Sequence, residues 1–99
     1  MTESGSDPLI DRFDEAYVVE KTVDLVHGEH TYRIEIVRDL KHKGAGSRYK
    51  ARYWRQEPKG TGQVWVATPE LPWVDVEGAD PNGALRQAAS FLAGRLPRR

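Results

Sequence analysis

The sequence predicts a single α+β domain: an antiparallel meander of four or five strands with one C-terminal helix packed on one face. Three observations carry this. Segments between residues 17 and 77 alternate apolar with polar residues or are rich in β-branched and aromatic side chains. They are separated by short turns bearing glycine or proline, too short for the crossovers that parallel pairing needs. One amphipathic segment follows them all, and a sheet face is the only large apolar surface on which it can bury its stripe.

Residues 1–16 read as a flexible acidic N-terminal arm, and residues 17–97 as the folded domain. Within the arm, Leu9, Ile10 and Phe13 have the spacing of one helical turn. Residues 17–26 form a strand in which Tyr17, Val19, Val23 and Leu25 share one parity, with Lys21 interrupting. After His27-Gly28-Glu29-His30, Tyr32, Ile34 and Ile36 alternate with Arg33 and Glu35, which closes a hairpin. Residues 40–47 are a glycine-bearing loop. In residues 48–56, Tyr49, Ala51 and Tyr53 face one way and Arg48, Lys50 and Arg52 the other, with Trp54 on the basic side. Gln63 to Thr68 is apolar on both faces and is expected in the sheet centre or under a partner. Pro69-Glu70-Leu71-Pro72 interrupts the ladder, because proline has no N–H to give, and Trp73 to Glu77 alternate again. Asp80 as N-cap and Pro81 at the first helical position open the helix. Leu85, Ala88, Ala89, Leu92 and Leu96 make its stripe, with Phe91 alongside, and Pro97 ends it.

Composition narrows the function. The 99 residues permit one modest core. Absence of cysteine excludes disulfides, thiolate metal sites and cysteine nucleophiles. The longest apolar run, Val64 to Ala67, is too short to span a bilayer, and the first residues lack the basic and apolar stretches of a secretory signal, so a cytoplasmic protein without membrane contact is expected. Fifteen basic and fifteen acidic residues cancel. They are unevenly placed: residues 1–40 hold ten acids and four bases, residues 41–60 seven bases and one acid. Zero net charge argues against wholesale nucleic-acid binding and permits a homodimer, while leaving room for a local basic stripe.

From Val64 to Leu92 the chain resembles the HicB-like antitoxin family: a strand, then Pro69-Glu70-Leu71-Pro72, a short strand ending at Gly78, and a helix opened by Asp80-Pro81 with Ala84-Leu85 and Ala88 inside. The strands over residues 31–57 fit the same β-β-β-α order. Trp73 stands where that family commonly has glycine. The resemblance covers the N-terminal β-β-β-α domain only. The chain ends at Arg99, without the C-terminal DNA-binding segment common in the family, so sequence-specific DNA binding is not expected. The resemblance implies a non-enzymatic protein-binding module that neutralises a small RNA-cleaving partner toxin, with no catalytic residues and no cofactor.

Other chemistry fits poorly. His27, Glu29 and His30 sit close together, but a fourth zinc ligand is not within sequence reach, and a solvated turn is the plainer reading. The stretches Gly44-Ala45-Gly46-Ser47 and Gly60-Thr61-Gly62 lie between strands, where no helix N-terminus follows to bind phosphate. Ser47 and Ser90 lack a nucleophile's context, and Asp11, Asp14 and Glu15 lie on an arm that cannot preorganise them. The strongest signal is the partner surface formed by Arg48, Lys50, Arg52 and Trp54, with Trp73 as a further contact. Trp65 or Trp73 is expected to touch a partner, since one helix cannot cover both sheet faces. The runner-up is a small RNA-binding protein that uses the same basic strand for phosphate contact and base stacking.

Overall fold

The computed structural model describes residues 9–41, 48–68 and 73–96. After a single 3-10 turn at Ile10–Arg12 come β1 (Tyr17–His27), β2 (His30–Asp39), β3 (Tyr49–Lys59), β4 (Gly62–Ala67), β5 (Val74–Val76) and α1 (Pro81–Arg95). The five strands form one antiparallel sheet in the order β1-β2-β3-β4, and β5 also pairs with β3. The α+β meander with one C-terminal helix is therefore the architecture. The Pro69-Glu70-Leu71-Pro72 turn, residues 1–8 and the loop over residues 42–47 lie outside the described residues.

Two strands share one edge of β3. Residues 54–59 of β3 pair with β4, and residues 49–51 pair with β5. This places β4 at a sheet margin, not at its centre. Nor does the helix cover it: α1 packs on β1, β2, β3 and β5 and makes no contact with β4, and of its apolar side chains Trp65 is covered by the Arg33 guanidinium. The β3-β4 hairpin projects past the helix, and the molecule is correspondingly elongated at 50 × 30 × 19 Å.

The core lies between α1 and one sheet face. Tyr32, Ile34 and Ile36 from β2, Tyr49, Ala51 and Tyr53 from β3, and Val76 from β5 pack against Ala84, Ala88 and Leu92. Alternation along β2 and β3 sends these residues to one side, and small alanines on α1 let the helix lie close to them. The Tyr53 hydroxyl donates to the Ala88 carbonyl at 3.0 Å, which satisfies the one polar group this tyrosine carries into the interior. The helix begins as its sequence dictates: the Asp80 side chain accepts from the Gly83 amide at 2.9 Å, and Pro81 occupies the first turn. Gly78 is required for the approach to that turn, because a Cβ there would lie 2.5 Å from the Ala84 nitrogen.

β1 departs from its apparent parity. The register shifts between Val19 and Lys21, so that Val19 pairs with Val37 while Lys21 pairs with Ile36. This bulge sends Tyr17 and Val19 to the face away from the helix and leaves Val23 and Leu25 beneath it. The lysine that interrupts the apolar pattern marks the bulge. At the other end of β1, Gly28 takes the left-handed conformation (φ 64°) in the tight turn to β2.

Candidate functional site

The sheet face opposite α1 carries the candidate site. Cross-strand register builds it. Arg33 pairs with Trp54 and Glu35 with Arg52 between β2 and β3. Gln56 pairs with Trp65 and Trp54 with Ala67 between β3 and β4. Lys50 pairs with Asp75 between β3 and β5. These neighbours form a band of three tryptophans interleaved with charges, running from β4 to the β5 end of the sheet.

Glu35 is the centre of the band. One of its carboxylate oxygens accepts from the Trp54 indole N–H at 2.9 Å and from the Arg52 guanidinium at 3.0 Å. The Arg52 guanidinium lies 4.9 Å from the Trp73 ring centroid, a cation–π contact, and Tyr17 meets the same ring edge-on at 5.1 Å. The buried Arg52 Nε has no acceptor among the described residues. Toward β4, Arg33 stacks 4.2 Å from the Trp65 centroid and holds Asp24 in a two-pronged pair at 2.8 and 3.1 Å. That bond keeps the Asp24 carboxyl below its ordinary pKa and the Arg33 guanidinium above its own. Tyr17 donates to Glu15 at 2.7 Å, and its hydroxyl is pushed up to about 12, by that bond first and by burial second.

The predicted residues are placed as follows. Arg48 is exposed at the entrance to β3. Lys50 and Arg52 lie on the face opposite Tyr49, Ala51 and Tyr53, as alternation requires, but they do not form a bare basic stripe: Lys50 is paired with Asp75 at 2.7 Å and Arg52 with Glu35. Trp54 is half-buried, with its N–H committed to Glu35. Trp73 remains 46% exposed. Sequence reasoning did not single out Arg33, Glu35, Asp24, Asp75 or Tyr17. Strand parity marks Arg33 and Glu35 as facing away from Ile34 and Ile36, but their partners follow only from register. The bulge, which carries Tyr17 onto this face, hides that residue altogether.

The zinc reading finds no geometry: among the described residues no group of three His, Asp or Glu side chains could hold a metal ion. His30 and Glu29 instead border a polar cleft of about 450 Å³ at the tip of the sheet, with Arg55, Glu57 and Gln63. No helix among the described residues is long and apolar enough to cross a membrane. The chain matches no known family, curated protein or solved structure in comparisons with each.

Proposed function

We propose that this chain is a non-enzymatic, cytoplasmic protein-binding module of HicB-like antitoxin type, which seats a small partner toxin on the open sheet face. The observation that carries this reading is Trp73, nearly half exposed although held between Tyr17 and the Arg52 guanidinium. Tryptophan and arginine dominate binding hot spots, and a contact surface held rigid before association loses less side-chain entropy when the partner arrives. The charged groups of this face are matched as ion pairs, not poised as nucleophile and base, which supports a binding role over catalysis.

The RNA-binding alternative uses the same tryptophans as stacking platforms. It is disfavoured because Arg33, Lys50 and Arg52 each already face a carboxylate, which would compete with phosphate.

The test is co-expression with the product of an adjoining small gene that arrests growth when expressed alone. The wild-type chain is expected to relieve the arrest and to co-purify with that product. The double variant Trp65→Ala/Trp73→Ala should keep its circular dichroism spectrum and bind at least about 30-fold more weakly, the scale of a hot-spot loss. Full-strength binding by the double variant removes the open face from the reading. Failure of the wild-type chain to bind removes the antitoxin assignment. A tight RNA complex with a steep salt dependence would install the alternative.

A further inference from the structure

Among the described residues β1 is an end strand of the sheet, pairing only with β2, and beyond its bulge residues 21–27 run without a further register shift. Beside it an apolar groove of about 350 Å³ is lined by Val23 and Leu25 of β1 and by Asn82, Leu85, Arg86 and Ala89 of α1. An open edge next to an apolar groove invites strand addition. We infer that this edge pairs with the β1 edge of a second copy of the chain, antiparallel about a two-fold axis through Val23, to form a homodimer whose sheet is continuous across both protomers.

Charge selects the occupant and the register. Directly opposed residues in an antiparallel pair share a face, so the axis must pass through a single residue. An axis at Lys21 or Asp24 opposes two like charges, and one at Thr22 sets Glu20 against Asp24 of the second copy. An axis at Leu25 sets Asp24 against the exposed Val26. An axis at Val23 sets Thr22 against Asp24, a hydroxyl donor against a carboxylate, twice by symmetry. It also lays the methylene stem of Lys21 over Leu25 of the second copy, covering the groove while the ammonium stays in water. The paired segment, residues 21–25, begins where the bulge ends. Both helices then lie on one side of the joined sheet, and the two grooves face each other across the axis. Asp24 joins this edge to the band through Arg33, which lies over Trp65, but Trp54 and Trp65 stand on β3 and β4 and Trp73 just before β5, so a dimer at β1 does not cover the tryptophan rings. Five paired residues and a shallow groove bury less than a standard interface of roughly 800 Å² per partner, so dissociation on the order of 10 μM is expected.

The absence of native cysteine makes the register directly testable. Opposed Cα atoms lie about 4.5–5.5 Å apart in antiparallel pairs, within disulfide reach. Under mild oxidant Val23→Cys should cross-link to dimer at least about tenfold faster than Leu25→Cys or the helix-surface control Ser90→Cys, since the Leu25 pair would be offset by four residues, about 13 Å. In sedimentation at 100 μM or so, the scale set by the expected affinity, the wild-type chain should approach twice its 11.2 kDa mass and fall toward that mass on dilution. Thr22→Glu, at an exposed position that also faces Glu35 across β2, should shift it to monomer at some cost in stability while circular dichroism still shows the folded sheet, and Thr22→Lys should keep the dimer. A wild-type monomer, which would leave the edge to an extended segment of another protein, overturns the inference. So does a dimer indifferent to Thr22→Glu, or cross-linking fastest at residue 25.

Discussion

The two faces of β3 are built from consecutive residues and behave as different materials. Toward α1 stand Tyr49, Ala51 and Tyr53, all buried, with Ala51 fully so. Away from it stand Lys50, Arg52 and Trp54, all half-buried and each bonded to a carboxylate on a neighbouring strand. The covered face is held by removal of apolar area from water, which is non-directional and tolerates change in detail. The open face is held by hydrogen bonds and ring contacts that depend on register. A sheet with one helix therefore need not leave its second face loose. This one fixes its tryptophans with its own ion pairs, so the outward surface is ordered without a second layer.

The largest effects fall on the covered face. Leu92→Asp sets an unpaired charge among Ile34, Tyr53 and the α1 alanines and is expected to cost more than about 4 kcal/mol, enough to unfold a domain of this size. Loss of the cooperative thermal transition checks it. Next is Gly78→Ala, which forces a methyl group into backbone of the first helical turn. It should lower stability by about 2–3 kcal/mol in denaturant titration. On the open face the largest expected effect is Glu35→Ala, because Arg52 and the Trp54 indole lose one shared acceptor. About 1–3 kcal/mol of stability should go, with a change in Trp54 fluorescence that Glu35→Gln partly restores.

Tyr53→Phe sharpens the comparison by pH. Burial pushes the Tyr53 hydroxyl from 10.0 up to about 12, so the neutral form is favoured in the folded state. Its contribution is complete below pH 10 and is lost as pH rises from there toward 12. The Phe variant should lose about 1 kcal/mol at neutral pH with the Ala88 hydrogen bond, and show a shallower decline above pH 10. A smaller effect is expected from Asp24→Asn. Its pairing with Arg33 lowers the carboxyl pKa, so the contribution present at neutral pH fades as pH falls through the acidic range. Because the pair is solvent-exposed, the loss should be small, and added salt should abolish the difference.

Charge reversal at the entrance to β3 and along it sorts the cations there. Arg48→Glu should leave stability nearly unchanged. Arg52→Glu brings a second carboxylate to Glu35 and should destabilise measurably, so a partner-binding defect in that variant needs Arg48→Glu and Lys50→Glu beside it.

Alternation, turn residues and the Asp80-Pro81 opening determined the strands, the helix and the covered face, because each is a local property: a side chain's direction follows from its neighbours along the chain. Tyr49, Ala51 and Tyr53 under the helix, with Lys50 and Arg52 opposite, were legible for that reason. Only the tertiary structure decided what meets what. The bulge at Val19–Lys21 moved Tyr17 to the open face, and the shared edge of β3 put β4 at the margin. Register alone delivered Glu35 to Arg52 and Trp54, and Arg33 to Trp65. Pairing between strands distant in sequence is set by the summed packing of the whole sheet. A slip of one residue would exchange the two faces, and no single segment carries the information that forbids it.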